Sequence, residues 1–119
     1  MVYRAMGLMS GSSLDGLDIV LASFQESSGR WSYEVLAAEC IPYSEEWVSK
    51  LQQARQLTAR DYLLLHTAYG KYLGQLVNDF IARHRLEYQV QLIGSHGHTV
   101  FHVPSQQMTA QLGDGAAIA

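Results

Sequence analysis

The stretch GLMSGSSLDGLD, Gly7–Asp18, places a bend of glycines and hydroxyls between two apolar runs. The flanking segments, Tyr3–Met9 and Leu17–Phe24, are predicted to be β-strands. Small side chains in the bend leave its backbone N–H groups and hydroxyls free to surround an anionic oxygen. The stretch therefore predicts a hairpin whose loop has the chemistry of a phosphate cradle.

Two carboxylates, Asp15 and Asp18, belong to this bend. Hard divalent cations prefer oxygen ligands, so the pair predicts a site for a divalent cation or its waters beside a bound phosphate. The alternative is a polar hairpin loop in which Asp and Gly only serve turn geometry or cap backbone groups. The residues alone leave both interpretations open.

Length and composition bound the class of protein. The 119 residues are 48% hydrophobic with a net charge of −3, which allows one core and gives no electrostatic reason to expect nucleic acid or a membrane surface. No apolar run approaches the roughly 20 residues of a membrane span, and nothing resembles a secretory signal. We therefore expect a cytoplasmic protein without nucleic-acid or membrane partners. The single cysteine, Cys40, is predicted to be a buried strand residue.

Periodicity predicts the remaining elements and an α/β or α+β domain. Trp31–Ile41 is predicted to be a third strand, and Ser44 to cap a helix that continues to about Arg55. Thr58 and Asp61 resemble a capping box for a longer helix to about Arg85. Its predicted core stripe is Tyr62, Leu65, Tyr69, Tyr72, Leu76 and Phe80, and Gly70 and Gly74 are expected to permit close packing. The later strands are predicted at Val90–Ser95, Thr99–Val103 and Thr109–Leu112, the last two as a hairpin.

Three blocks of the sequence together resemble one enzyme family. They are GLMSGSSLDGLDIVL at the amino terminus, GSHGHTVFHVP at Gly94–Pro104 and TAQLGDGAAIA at Thr109–Ala119. In this order they are similar to anhydro-N-acetylmuramic acid kinase, a family of the sugar kinase, heat-shock ATPase and actin superfamily. Two positions depart from the family pattern, which usually has Thr at the position of Ser12 and Gln at that of His98.

The resemblance implies a fold and a domain organisation. The fold is the N-terminal lobe of the actin-like ATPase (ribonuclease H-like) type, with three antiparallel strands followed by helices and further strands. Because the resembled kinases have two lobes with ATP and sugar in the cleft between them, residues 1–119 are expected to be a partial N-terminal lobe without the C-terminal lobe.

The resemblance also implies a reaction, with ATP and Mg²⁺ as cofactors. Water opens the 1,6-anhydro ring of anhydro-N-acetylmuramic acid while its 6-hydroxyl takes the γ-phosphoryl group, which gives N-acetylmuramic acid 6-phosphate for peptidoglycan recycling. The family's base is an Asp in a later motif that nothing in this chain matches, so the chain alone is expected to be inactive. The family's dimer implies self-association.

The site residues follow from the same resemblance. The ATP-binding segment is carried over onto Gly11, Ser12, Ser13, Leu14, Asp15, Gly16, Leu17 and Asp18, with Asp15 and Asp18 toward magnesium. The candidate sugar-binding residues are His96, Gly97 and Thr99, because the second block is predicted to follow a strand end, where open α/β sheets bind ligands.

Other interpretations remain for the histidines and for the whole chain. His96, His98 and His102 form a candidate metal site, since alternate residues of a strand share a face. His102 is otherwise predicted to be a packed or hydrogen-bonded core residue, and His66 and His84 to be surface or helix-end residues. The alternative functions are a non-catalytic nucleotide- or sugar-binding domain of the same fold, and a kinase for another amino sugar.

Overall fold

The computed structural model describes residues 1–11 and 13–119, which form a five-stranded sheet with helices. The elements are β1 (Val2–Ser10), β2 (Gly16–Ser27), β3 (Arg30–Pro42), α1 (Glu45–Gln53), α2 (Ala59–His84), β4 (Leu92–Val103), β5 (Met108–Leu112) and α3 (Gly115–Ile118). Short 3₁₀ turns follow α1 and β4, at Ala54–Gln56 and Pro104–Gln106. The α/β fold class is confirmed.

The sheet is mixed, with strand order β3-β2-β1-β4-β5. β2 is antiparallel to both β1 and β3, β4 is parallel to β1, and β5 is antiparallel to β4. The β2–β3 hairpin turns at Ser28 and Gly29, whose φ angles of 55° and 78° match the twist of the flanking strands. Parallel pairing of β4 with β1 requires a long crossover, which α1 and α2 provide.

The predicted helix caps are confirmed. Ser44 accepts a hydrogen bond from the Trp47 N–H at 3.3 Å, and Thr58 accepts one from the Asp61 N–H at 3.2 Å. Each bond satisfies a backbone donor that has no partner within its helix. The Asp61 carboxylate pairs with Arg60, so the Thr58 cap uses only one half of the capping-box pattern.

Alternate residues of β1 and β2 define a covered face of the sheet, where the core lies. This face buries Met6, Leu8, Leu17, Ile19 and Leu21, and α1 and α2 pack over it. On α2, the predicted Tyr69 and Phe80 are fully buried, and the stripe between them continues through Leu73 and Val77. The predicted Tyr62, Leu65, Tyr72 and Leu76 are half-buried at its sides.

Two glycines of α2 bring α3 close to this helix, as expected from the sequence. A Cβ atom at Gly70 would lie 2.6 Å from the Asp114 carbonyl oxygen, and one at Gly74 would lie 2.9 Å from that of Ile118. Any larger side chain would therefore push α3 away from α2.

The opposite, open face of the sheet corrects the prediction for Cys40, which is exposed rather than buried. Cys40 lies opposite Asp18 and therefore shares its face, away from the face on which the described helices α1 and α2 pack. The apolar pattern of β3 does not reveal this, because β3 is an edge strand with exposed aromatic residues such as Trp31 and Tyr33. Within the described part of the chain, no helix is both long and apolar enough to cross a membrane.

Candidate functional site

The bend between β1 and β2 is a tight turn anchored by a leucine. The Leu14 N–H donates to the Gly11 carbonyl at 3.3 Å, and the Leu14 backbone is left-handed with φ 59°. The Leu14 side chain packs against the core. Ser13 donates its hydroxyl to Asp15 at 2.8 Å. The predicted phosphate contact Ser12 lies outside the described residues.

The predicted ATP-binding residues divide into packed and accessible ones. Leu17 is buried in the core, and a Cβ atom at Gly16 would collide with the Ile41 carbonyl. The side chain of Leu17 is thus inaccessible to a nucleotide, and Gly16 is required by the packing of β2 on β3. At Gly11, by contrast, a Cβ atom would meet nothing closer than the Ser13 hydroxyl, at 3.7 Å.

The two predicted metal ligands are exposed and act on the same thiol. The neighbouring Asp18 carboxylate is the main cause that raises the pKa of the Cys40 thiol, with partial desolvation and the negative charge of Asp15 adding to it. Among the described residues neither carboxylate forms a salt bridge. Two uncompensated carboxylates at one end of the sheet fit a hard cation such as Mg²⁺, which takes oxygen ligands and keeps several waters.

A bulge in β4 separates His96 from His98. Ser95 pairs with Leu8 and His98 pairs with Ser10, so β4 has one more residue than β1 in this interval. Gly97 sits in the bulge with φ 74°, in contact with the backbone of β5. The extra residue breaks the alternation of the strand, so His98 is buried while His96 is exposed.

The structure corrects several predictions for this block. The block lies inside β4 rather than after a strand end, because β4 begins at Leu92 and continues to Val103. His102, predicted to lie in the core, is exposed. The proposed histidine metal site is not found: the described residues contain no group of three His, Cys, Asp or Glu side chains that could hold a metal ion. The predicted sugar-binding His96 and Thr99 remain accessible.

Four buried side chains form a hydrogen-bonded network beneath the bend. Tyr69 and Tyr43 share a hydrogen bond of 2.6 Å between their hydroxyls, and Tyr43 donates to the Ser10 hydroxyl at 2.6 Å. The Ser10 hydroxyl lies 2.9 Å from His98 Nδ1. This buried polar network of Tyr69, Tyr43, Ser10 and His98 joins α2, the β3–α1 connection, β1 and β4.

The low polarity around the network keeps its groups neutral. Burial is the main cause that raises the pKa of Tyr43 and of Tyr69, and burial lowers the pKa of His98 from the ordinary 6.5. Neutral side chains of this kind stabilise the core only when each polar atom has a partner.

Sequence reasoning misses the network because its members are far apart in sequence. The helical spacing correctly predicts Tyr69 in the core stripe, and a buried tyrosine normally requires a partner for its hydroxyl. That rule signals the existence of a partner but does not identify Tyr43 or Ser10. His66 also departs from its predicted surface role: it is half-buried, and its Nδ1 accepts a hydrogen bond of 3.0 Å from the Gly113 N–H. His84 lies at the end of α2, as predicted.

Comparison with known proteins shows that the chain belongs to a family of sugar kinases. The family model for anhydro-N-acetylmuramic acid kinase matches residues 3–119. The chain therefore belongs to the anhydro-N-acetylmuramic acid kinase family.

Curated relatives with this name come from several bacteria. The chain is 35% identical to the protein of Pseudoalteromonas translucida over 126 residues, covering 96% of this chain and 31% of that protein. It is 35% identical to the protein of Paramagnetospirillum magneticum over 122 residues, covering 97% and 32%. It is 37% identical to the protein of Rhodopseudomonas palustris over 129 residues, covering 100% and 34%. The chain thus spans about a third of the length of these relatives.

Proposed function

We propose that this chain is the part of an anhydro-N-acetylmuramic acid kinase that holds ATP on the β1–β2 bend, as part of an N-terminal lobe of the actin-like ATPase (ribonuclease H-like) fold. The bend offers the main-chain N–H groups of Gly11, Ser12 and Ser13 and the hydroxyl of Ser12, which would bind phosphate oxygens without adding a net positive charge. The open space around Gly11 supports this assignment, because the packing of the described residues does not itself require a glycine there.

Asp15 and Asp18 are the residues that would hold Mg²⁺ or its waters. Among the described residues neither carboxylate has a cationic partner, so their negative charge would repel a triphosphate unless a bound cation neutralised it. When bound, Mg²⁺ neutralises charge that develops during phosphoryl transfer. Ser13 orients the Asp15 carboxylate through the hydrogen bond of 2.8 Å.

The candidate sugar-binding residues lie on the neighbouring strand. The hydrogen bond between Ser10 and His98, 2.9 Å long, directly joins the end of β1 to the bulge of β4. The ATP bend begins one residue after Ser10, and His96 and Thr99 flank the bulge. Phosphoryl transfer depends on holding donor and acceptor next to each other, and this juxtaposition is the observation that carries the proposal.

The reaction proposed for the whole enzyme is the ring opening of anhydro-N-acetylmuramic acid by water with phosphorylation of its 6-hydroxyl by ATP. Attack of water at the anomeric carbon requires a base. We assign no residue of this chain to that step, because the resemblance places the base in a later motif. We therefore expect the 119 residues to bind ligands without detectable turnover in a coupled ATP-consumption assay.

Binding of Mg-ATP to the 119-residue chain tests the nucleotide assignment by calorimetry. Gly11→Val fills the open space at the bend, and we expect it to weaken Mg-ATP binding at least tenfold while the urea unfolding midpoint stays unchanged. Gly94→Val is the matched control, since a Cβ atom at Gly94 also meets nothing within 4 Å. Equal Mg-ATP affinity of both variants would contradict the phosphate role of the bend.

Titration with anhydro-N-acetylmuramic acid tests the sugar assignment separately. We expect His96→Ala and Thr99→Ala to weaken sugar binding, because each removes an accessible hydrogen-bonding group beside the bulge. His102→Ala is the matched control, an exposed histidine of the same strand. If all three substitutions weakened sugar binding equally, the result would contradict the assignment of His96 and Thr99 to a sugar site and would indicate a general effect on β4.

A further inference from the structure

The hydrogen bonds of the buried polar network have one direction. Tyr43 donates its only hydroxyl proton to Ser10, so in the bond between the tyrosines the proton comes from Tyr69. Ser10 is 3% exposed, and its described side-chain partners are Tyr43 and His98. Its own proton must therefore go to His98 Nδ1 if the hydroxyl is to remain satisfied.

This direction fixes the protonation state of His98. An imidazole that accepts at Nδ1 carries its proton at Nε2 and is neutral. A protonated His98 would donate at Nδ1, and the Ser10 hydroxyl would then lose its acceptor while remaining buried. Such an unsatisfied buried donor is strongly unfavourable, so the network is complete only when His98 is neutral.

The network reaches the bend through the backbone. Ser10 is the last residue of β1 and immediately precedes Gly11, where the bend starts. β1 ends here between β2 and β4, and Ser10 pairs with Leu17 on one side and with His98 on the other. The side-chain bond from Ser10 to His98 therefore fixes the point from which the bend leaves the sheet.

We propose that His98 is a positioning residue, which in its neutral form holds the end of β1 and the β1–β2 bend in place against β4. The effect of His98 on Mg-ATP binding rests on the proposed function of the bend. Its effect on the order of the bend is independent of that function.

The surroundings of His98 make it the titrating group of this network. The groups that face it or continue its network are Ser10 from β1, Tyr43 before α1, Tyr69 from α2 and Leu112 opposite it in β5. None of these is charged near neutral pH. The charge of Asp18 acts on the network through Tyr43, where it contributes to the raised pKa.

The sign of the pH dependence follows from this environment. Burial lowers the pKa of His98 in the folded chain below its ordinary value of 6.5, so the unfolded chain binds the proton first as the pH falls. The stabilisation by neutral His98 is thus complete above about pH 6.5 and is lost as the pH falls toward the folded pKa. The bend should loosen over the same interval.

The experiment compares wild type with His98→Gln and His98→Leu. A Gln amide oxygen can accept the Ser10 proton and does not titrate, whereas Leu offers no acceptor. At pH 7.5 we expect His98→Leu to speed hydrogen exchange of the Gly11 and Ser13 amides and to weaken Mg-ATP binding, each about tenfold, and His98→Gln to restore most of both. Long-range ¹H–¹⁵N spectra of wild type should show His98 protonated at Nε2.

The pH profile separates positioning from a merely structural role. Between about pH 7.5 and pH 5, wild type should lose Mg-ATP affinity and protection of the bend amides from hydrogen exchange more steeply than His98→Gln. The titration of ATP itself affects both proteins equally and does not change this comparison. His102→Gln is the control, because His102 is an exposed histidine of the same strand. We expect this variant to have the same pH profile as wild type.

The outcomes distinguish this inference from the proposed function. If wild type binds no Mg-ATP but the bend still loosens in His98→Leu and at low pH, the nucleotide assignment fails and the positioning role stands. If His98 carries its proton at Nδ1, or if wild type and His98→Gln share one profile of bend exchange with pH, the positioning role is wrong. The wild-type and Gln profiles decide the matter even if His98→Leu does not fold.

Discussion

The two faces of the sheet differ although the same strands form both. On the covered face, residues such as Leu21 and Met6 are at most 1% exposed, and this side also buries the polar network. On the open face, Trp31 and Tyr33 are 63% and 73% exposed, and Asp18 faces solvent beside Cys40. The covered face therefore fixes the fold, while the open face carries the free charges of the candidate site.

Truncating a core side chain of the covered face should cause the greatest loss of stability. Phe80 is fully buried between α2 and the sheet, so Phe80→Ala removes its contacts and leaves a cavity. We expect a loss of about 3–5 kcal/mol in the free energy of unfolding, measured by urea denaturation.

Tyr33→Ala is the counterpart on the open face. Tyr33 packs only on the edge of the sheet, with its ring 6.3 Å from that of Phe24. Removing such an exposed cross-strand pair should cost about 1 kcal/mol or less. Similar losses for the two variants would contradict the division of roles between the faces and indicate that the open face is packed in solution.

A second, smaller loss of stability concerns the contact between α2 and α3. Gly70→Ala places a Cβ atom 2.6 Å from the Asp114 carbonyl oxygen, so α3 must shift. Alanine favours the helix by about 1 kcal/mol, yet we expect a net loss of about 1–3 kcal/mol in unfolding free energy because of the clash. Gly115→Ala is the control, since a Cβ atom there meets nothing within 4 Å. A stabilised Gly70→Ala chain would show that α3 is not held against α2.

The elements of the covered face can be predicted from the sequence, because local rules determine them. Apolar runs locate β1 and β2, period-2 alternation locates β3, and the cap residues Ser44 and Thr58 locate the starts of α1 and α2. The close packing at Gly70 is also predictable, since a glycine inside a helix weakens the helix and usually serves a close contact with another element.

The wrong predictions concern residues whose environment depends on pairing between distant segments. The sequence pattern assigns His102 rather than His98 to the core, because it shows neither the bulge at Gly97 nor the second register shift between Thr99 and Phe101, which separates His102 from the face of His98. The prediction for Cys40 is wrong because an apolar edge strand does not reveal which of its faces a helix will cover. Both facts are set by long-range register, which a local pattern does not contain.

The smallest expected effect concerns the reactivity of Cys40, which reports on the charges of the open face. The neighbouring carboxylates of Asp18 and Asp15 raise the pKa of the Cys40 thiol, and the thiolate is the reactive form. Asp18→Asn removes one negative charge, so the pKa should fall and the alkylation rate by iodoacetamide at pH 8 should rise severalfold.

Asp61→Asn is the matched control for that rate, because Asp61 is also an exposed carboxylate, at the start of α2.

The same assay tests the magnesium assignment. A cation held between Asp15 and Asp18 would neutralise the charges that act on the thiol, so saturating Mg²⁺ should accelerate alkylation in wild type and not in Asp18→Asn. An unchanged wild-type rate with Mg²⁺ would mean that these two carboxylates serve the turn alone, and the open face would then lose its part in the candidate site.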